Sequence, residues 1–387
     1  MIAILARVFL KPEETSEAQL RKGYGILCGG MGVFLNLLLF LGKLLAGLSA
    51  GSIAVVADAV NNLSDAGSSL VTLLGFQLAG QKPDHDHPFG HGRMEYLSGL
   101  VVAMLILLMG FELAQSSVGK ILHPVPAEGG WQVTAMLCAA ILVKLYMAFY
   151  NRRIGRRIGS TAMAAAAIDS LSDCAATTVV LAASLAERYT DLILDGWGGL
   201  LVALFILWSG LQAAKTTMDP LLGTPPSAEF VEEIRSLVLS HPPILGVHDI
   251  IVHDYGPGRR MISLHAEVPA GGELLELHSR IDHVERELRE RLGCEAVIHM
   301  DPVATDDGVT QETRRRVETL VRCIDSGITI HDFRVVPRNG HAHLVFDAAV
   351  PFDFRLTDQE VEEKIQSAVQ ALDSSFQAKV RVERSYT

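Results

Sequence analysis

Val101-Val-Ala-Met-Leu-Ile-Leu-Leu-Met-Gly110 carries no charged side chain over ten residues. Extended in both directions the run covers Met94 to Gln115, close to the roughly 20 apolar residues that cross a bilayer as a helix. Five more stretches of the same kind share the first part of the chain: Tyr24 to Leu48, Ile53 to Ala79, Trp131 to Asn151, Ser160 to Ala186 and Leu192 to Ala214. A large soluble helical core is the competing reading, but buried helices of soluble proteins rarely carry such runs one after another. The spacing therefore predicts six transmembrane helices. Whole-chain averages over the 387 residues, a formal net charge of −11 and a mean hydropathy of +0.29, blur an apolar half and a polar half.

The opening Met1-Ile-Ala-Ile-Leu-Ala6 is interrupted by Arg7 and is too short for the core of a signal peptide, so no cleaved segment is expected. Residues Thr15 to Lys22 read as a polar lead-in to the first span. Lys and Arg gather in short cytoplasmic loops. Here Arg7, Lys11, Arg21 and Lys22 precede span one, Lys82 and Arg93 lie between spans two and three, and Arg152, Arg153, Arg156 and Arg157 lie between four and five. Both termini are thus expected in the cytoplasm, as in an integral protein of a bacterial-type plasma (inner) membrane. Cys28, Cys138, Cys174, Cys294 and Cys323 show no CxxC spacing, which indicates neither a disulfide framework nor a thiolate zinc site. The acidic balance and the lack of a basic patch argue against nucleic-acid binding.

After Lys215, the run Met218-Asp-Pro-Leu-Leu-Gly-Thr-Pro-Pro226 leaves the membrane. A helical stretch Ser227 to Ser240 follows, then β-patterned runs Val247 to Tyr255 and Met261 to Val268, a helix Leu274 to Leu292 and a strand Cys294 to His299. The αββαβ order returns between Glu312 and Ser385: a helix to Val321, strands Thr329 to Val336 and His341 to Val350, a helix Asp358 to Leu372 and a strand Ala378 to Glu383. Val247-His-Asp-Ile250 aligns with Ile330-His-Asp-Phe333, and Leu264-His-Ala-Glu-Val-Pro269 with Phe346-Asp-Ala-Ala-Val-Pro351. A tandem duplication of one small α/β domain accounts for this. The predicted domains are 1–217, an all-α six-helix transmembrane bundle, then 218–303 and 304–387, ferredoxin-like α/β repeats on the cytoplasmic side.

In span two, Asn61 and Asp65 are four residues apart, and Asp169 and Asp173 repeat that spacing in span five. Such pairs project from one helix face. Two facing pairs make an oxygen site for one cation, and buried carboxylates at membrane depth usually mark an ion or proton path. Asn61 alone reads equally well as a polar packing residue. Asp58, one turn earlier, supports the site or packs helices. In the loop Pro83-Asp-His-Asp-His-Pro-Phe-Gly-His-Gly-Arg93, Asp84, His87 and His91 form a mixed oxygen and nitrogen set, or a merely solvated loop. In the tail His248, His265 and His278 precede His299-Met-Asp301, whose two polar side chains share a strand face; each histidine taken singly is filler as readily as ligand. The second repeat is expected to keep His331, to place Asp347 for His265, and to place Glu383 and Ser385 for His299 and Asp301.

These features together resemble the cation diffusion facilitators: six spans with both termini inside, acidic pairs in spans two and five, the Asp-x-x-His-Pro-Phe-Gly-His-Gly loop, and a small cytoplasmic α/β domain. The resemblance covers about Lys22 to Val303. It implies that Asn61, Asp65, Asp169 and Asp173 form the transport site, that Asp84, His87 and His91 form the loop site, and that His248, His265, His278, His299 and Asp301 form the tail sites. Zinc-type members carry histidine in the intramembrane pairs, so Asn61 and Asp169 resemble the manganese-type branch. The second repeat exceeds the common plan of the family. The function expected is proton-coupled antiport of a divalent metal out of the cytoplasm, Mn²⁺ favoured and Zn²⁺ or Fe²⁺ possible, by a homodimer in the lipid bilayer. The metal is substrate, with no organic cofactor and no enzymatic activity expected. The rival reading is a non-transporting metal-sensing membrane scaffold. No GxxxxGK[ST] loop for ATP is present.

Overall fold

The computed structural model describes residues 17–50, 53–123, 131–190, 195–304, 307–338 and 341–385. The N-terminal expectations on residues 1–16, and the side chain of Asp58, lie outside what is described. The chain divides into two compact units, Met1–Gly223 with Tyr255–Gly258, and Thr224–Asp254 with Arg259–Thr387.

The first unit holds helices α1 (Glu17–Ala50), α2 (Ile53–Ala79), α3 (Met94–Leu122), α4 (Trp131–Ile158), α5 (Thr161–Thr190) and α6 (Asp195–Leu222). Four of them, α1, α3, α4 and α6, contain segments long and apolar enough to cross a membrane. Helices α2 and α5 carry the aspartates of the expected site and, besides them, several serines, which lowers their hydropathy. Most helices outrun the apolar stretches that announce them, because hydropathy reports contact with lipid while the backbone ladder continues beyond it. Helix α4 runs on through Arg152 and Arg157. Helix α6 passes Ala214 and accommodates Pro220 in its last turn before Gly223, at φ +101, ends it.

The unit is inside-out relative to a water-soluble protein. Phe34, Leu45, Phe111, Leu142, Leu201 and Trp208 are exposed, whereas Asn36, Lys43, Asp65, Lys144, Asn151 and Asp169 are buried. Large apolar side chains all around a bundle are satisfied only by a hydrocarbon solvent. Helix α1 packs along α2, α3 along α6, and α4 along α5. The α1–α2 approach depends on small residues: a Cβ at Gly29 would stand 2.9 Å from the Cα of Leu73. At one end Arg21 of α1 donates a bidentate pair to Glu95 of α3, at 3.1 and 2.8 Å. Its guanidinium also donates to the carbonyls of Ile158 and Gly159, where α4 ends.

The second unit contains α7 (Ala228–Leu239), β1 (Gly246–Asp254), β2 (Arg260–Pro269), α8 (Leu274–Leu292), β3 (Cys294–Val303), α9 (Gly308–Ile324), β4 (Thr329–Arg338), β5 (His341–Pro351), α10 (Asp358–Leu372) and β6 (Phe376–Ser385). Two three-stranded sheets result, ordered β1-β2-β3 and β4-β5-β6. In each the first pair is antiparallel and the second parallel. Each sheet has its own core. Ile234 and Val238 of α7 and Ile281, Val284 and Leu288 of α8 bury against Leu264 and Ala266; Val317, Val321, Ile365 and Val369 do so against Phe346 and Ala348. Helix ends follow capping rules: Ser227 and Thr357 accept from backbone amides, the latter in a full capping box with Glu360.

Both sheets are bulged at the same place. Asp249 and Asp332 take positive φ, 51° and 52°, and the register of the first strand pair breaks there in each. Aspartate tolerates this conformation better than most side chains. Register also corrects the alignment expected from sequence. His248 pairs with His265 and His265 with His299; His331 pairs with Asp347 and Asp347 with Arg381. The counterparts of His299 and Asp301 are therefore Arg381 and Glu383, not Glu383 and Ser385. The last strand begins two residues earlier than its β-pattern suggested, and letter matching alone slipped by a strand period.

Candidate metal centres

Asp65 on α2 and Asp169 and Asp173 on α5 turn inward because the opposite faces of those helices carry exposed leucines such as Leu70 and Leu171. Asp65 and Asp169 are buried, and Asp65 Oδ1 and Asp169 Oδ1 have no hydrogen-bond partner. Asn61, expected beside Asp65, is exposed. The residue that joins the pairs was not anticipated: Lys144 of α4 places Nζ 2.7 Å from Asp65 Oδ2 and 2.6 Å from Asp173 Oδ2. An ammonium between two carboxylates supplies the opposite charge that the low-dielectric interior requires. It also occupies the position from which a cation would bridge α2 and α5. A lysine in the middle of an apolar span was a readable signal, for the same cost argument that singled out the aspartates applies to it.

In the loop between α2 and α3, Asp84 Oδ1 lies 3.4 Å from His87 Nδ1 and Asp84 Oδ2 lies 3.3 Å from His91 Nε2. The three could close on one ion. The amide of His87 donates to Asp84, and this bond first, with the two imidazoles adding to it, holds the carboxyl below its usual range.

In the first sheet, residues opposite the helices carry the tail set. Asp301 Oδ2 lies 2.9 Å from His265 Nδ1 and 3.1 Å from His248 Nε2, and Asp301 Oδ1 lies 3.4 Å from His299 Nε2. Burial, and then the neighbouring His331, lower the pKa of His248, favouring the neutral ring that ligates metal. His265, His299 and Asp301 form one potential ligand group, and His248, Asp249 and His265 another. His278 sits exposed on α8 and belongs to neither group. A further group escaped sequence reading: His241, His283 and Glu287, with His241 Nε2 2.8 Å from Glu287 Oε2. His241 is 42 positions before His283, so only the packing of α7 beside α8 reveals it.

Residues 31–222 match the family model of the cation efflux transmembrane domain, and residues 226–303 that of the cation efflux protein cytoplasmic domain. An uncharacterised transporter of Methanocaldococcus jannaschii is 30% identical over 269 residues, 69% of this chain and 95% of the relative. The chain belongs to the cation diffusion facilitator family. Other members are similar at greater distance: the cation-efflux pumps FieF of Escherichia coli and of Escherichia fergusonii are each 29% identical over 266 residues, 68% of this chain and 88% of theirs. As a member of this family the chain is an integral membrane protein of a cation-efflux type, whose transported substrate is a divalent metal cation. The second of these matches ends at residue 303, before α9 begins.

Proposed function

We propose that the chain is a six-span antiporter that exports a divalent metal ion, Mn²⁺ favoured, from the cytoplasm in exchange for protons. The observation that carries this reading is the set of buried Asp65, Asp169 and Lys144 with the partly buried Asp173, inside a bundle whose outer surface is apolar. The exposed leucines of α2 and α5 support counting those two helices as spans alongside the four that contain segments long and apolar enough to cross a membrane. The similarity to the FieF cation-efflux pumps supports the direction of transport.

The mechanism follows from charge. Carboxylates at this depth are stable only when paired with a cation or a proton. A dication arriving from the cytoplasm takes up oxygens of Asp65, Asp169 and Asp173, with Asn61 entering the shell when its helix turns, and displaces both protons and the Lys144 ammonium. Protons from the far side reverse the exchange once the bundle has rocked outward, which is alternating access around a fixed site. Lys144 acts as a tethered competitor: it refills two carboxylates as the metal leaves, so the empty site is not left as a bare cluster of negative charge. The ligand set presents only oxygen, which suits Mn²⁺ better than a zinc site normally built from nitrogen or sulfur. Zn²⁺ or Fe²⁺ export by the same route is the second reading, since both bind a given ligand set more tightly than Mn²⁺. The loop and tail clusters bind metal on the cytoplasmic side, and the protein works as a homodimer with both termini there.

Purified protein in liposomes with a pH-sensitive dye inside tests the whole reading. Metal uptake against an opposite, metal-dependent pH change is expected. Uptake with no pH change points to a uniporter, and no flux of any divalent ion points to a sensing scaffold.

A further inference from the structure

The second α/β repeat ends in residues that the transport reading does not use. His331 of β4 is buried, 7% exposed, and neither ring nitrogen has a hydrogen-bond partner. A buried imidazole usually satisfies at least one nitrogen, and leaving both unmet is costly. The ring stacks on His248 of the first repeat, with centroids 4.3 Å apart. These are the matching positions of the two sheets, each followed by an aspartate with positive φ. The aspartates differ in employment. Asp332 is held by Arg334 at 2.6 Å, whereas Asp249 points to His331, Oδ1 to Nε2 3.7 Å, too long for a hydrogen bond.

We propose that Asp249 of the first repeat, with His331 and Glu383 of the second, forms a divalent-cation site that ties the two repeats of one chain together. One ligand atom from each of the three lies within 4.8 Å of the others, the spacing of donors around a common ion. All three line a cavity of about 1440 Å³ bounded by both repeats, with room for waters to complete the shell. Asp347 stands close by. Burial first, then mutual repulsion with Asp249, raises the pKa of Glu383, and burial likewise raises that of Asp347. Arg381 reaches Glu383 at 3.1 Å, but its side chain is 76% exposed and can swing aside into water. Two carboxylates and one imidazole select a first-row divalent ion such as Mn²⁺, Co²⁺ or Zn²⁺ over thiolate-seeking or purely oxygen-seeking metals. Asp249 also lies within reach of His248 and His265, so its carboxylate connects this site to the tail set of the first repeat. The site is incomplete in either repeat alone, which gives residues 304–387 a role: they supply from within the chain the ligands that close the exposed face of the first sheet.

The inference stands or falls apart from the transport reading. Full-length protein in detergent is titrated with Co²⁺, and bound ions are counted by metal analysis and by the d–d absorption of the Co²⁺ form. Asp249→Asn, which keeps the bulge because asparagine also tolerates positive φ, should lose about one ion per chain. Glu383→Gln and His331→Ala should lose the same ion. Affinity for that ion should fall more than ~100-fold, beyond the 10–100-fold that loss of an outer-sphere partner costs. His299→Ala should leave it bound. Equal ion counts and unchanged Co²⁺ spectra in Asp249→Asn and Glu383→Gln, with near-ultraviolet circular dichroism like that of wild type, would overturn the proposal.

Discussion

In the helical unit Asp65 and Asp173 meet one ammonium, that of Lys144; in the α/β unit Asp301 meets three imidazoles, those of His248, His265 and His299. The first arrangement places hard oxygen donors on two helices, α2 and α5, around a cation that a third, α4, supplies from within the chain. The second places nitrogen donors in one row across three strands, where register fixes their spacing. Helices that pack through small side chains can shift against each other, whereas a hydrogen-bonded row of strands cannot. The difference separates a site suited to exchange from one suited to retention. On the function proposed above, oxygen ligands with a tethered competitor release an ion readily, and pre-aligned imidazoles hold one.

The comparison breaks most visibly if the membrane carboxylates prove dispensable. Asp65→Ala or Asp173→Ala should reduce metal flux in proteoliposomes to the level of empty vesicles while insertion is unchanged, since each removes a charged oxygen from the site and strands Lys144 with one partner. Flux near wild type at equal protein content would move the transport path elsewhere. A smaller effect sharpens the role of the ammonium. Lys144→Met keeps the length of the side chain and frees two carboxylates, so Mn²⁺ binding should tighten by about tenfold, the order of one charged hydrogen bond lost to the competitor, while turnover falls because the metal is no longer displaced. Calorimetry and initial flux rates read the two separately; unchanged affinity with unchanged turnover would reduce Lys144 to a packing residue. The smallest effect concerns metal choice. Asn61→His, alone and with Asp169→His, should raise zinc flux relative to manganese flux several-fold by adding imidazole to an oxygen set. A wild type that moves zinc well and manganese not at all would defeat the oxygen-ligand argument while leaving the transporter reading intact.

Much of the architecture was readable because its signals are long. Runs of twenty apolar residues and an αββαβ pattern repeated with matching His-Asp pairs leave few alternatives, and the bounds of α2, α8 and α10 agree with the expectation to the residue. The aspartates were readable because their cost at membrane depth demands a reason. Lys144 obeyed the same logic and was overlooked because it has no i, i+4 companion of its own. Asn61 was placed by spacing alone, and spacing fixes a helix face without fixing which side of the bundle that face meets. The contacts of His331 with His248 and Asp249 depend on how two sheets meet, and nothing local in either strand encodes that. The slip that paired His299 with Glu383 arose where a strand's start was blurred by its weakly alternating first residues, Phe376 and Gln377.

Arg21 joins the beginning of α1 to the first turn of α3 and to the last carbonyls of α4. Those carbonyls are the negative end of the α4 dipole, so a single guanidinium answers a carboxylate and a helix terminus together. In the rocking motion proposed above, three helix ends tied by one side chain would travel as one cluster, so that α1, α3 and α4 could part at this end only by breaking those bonds.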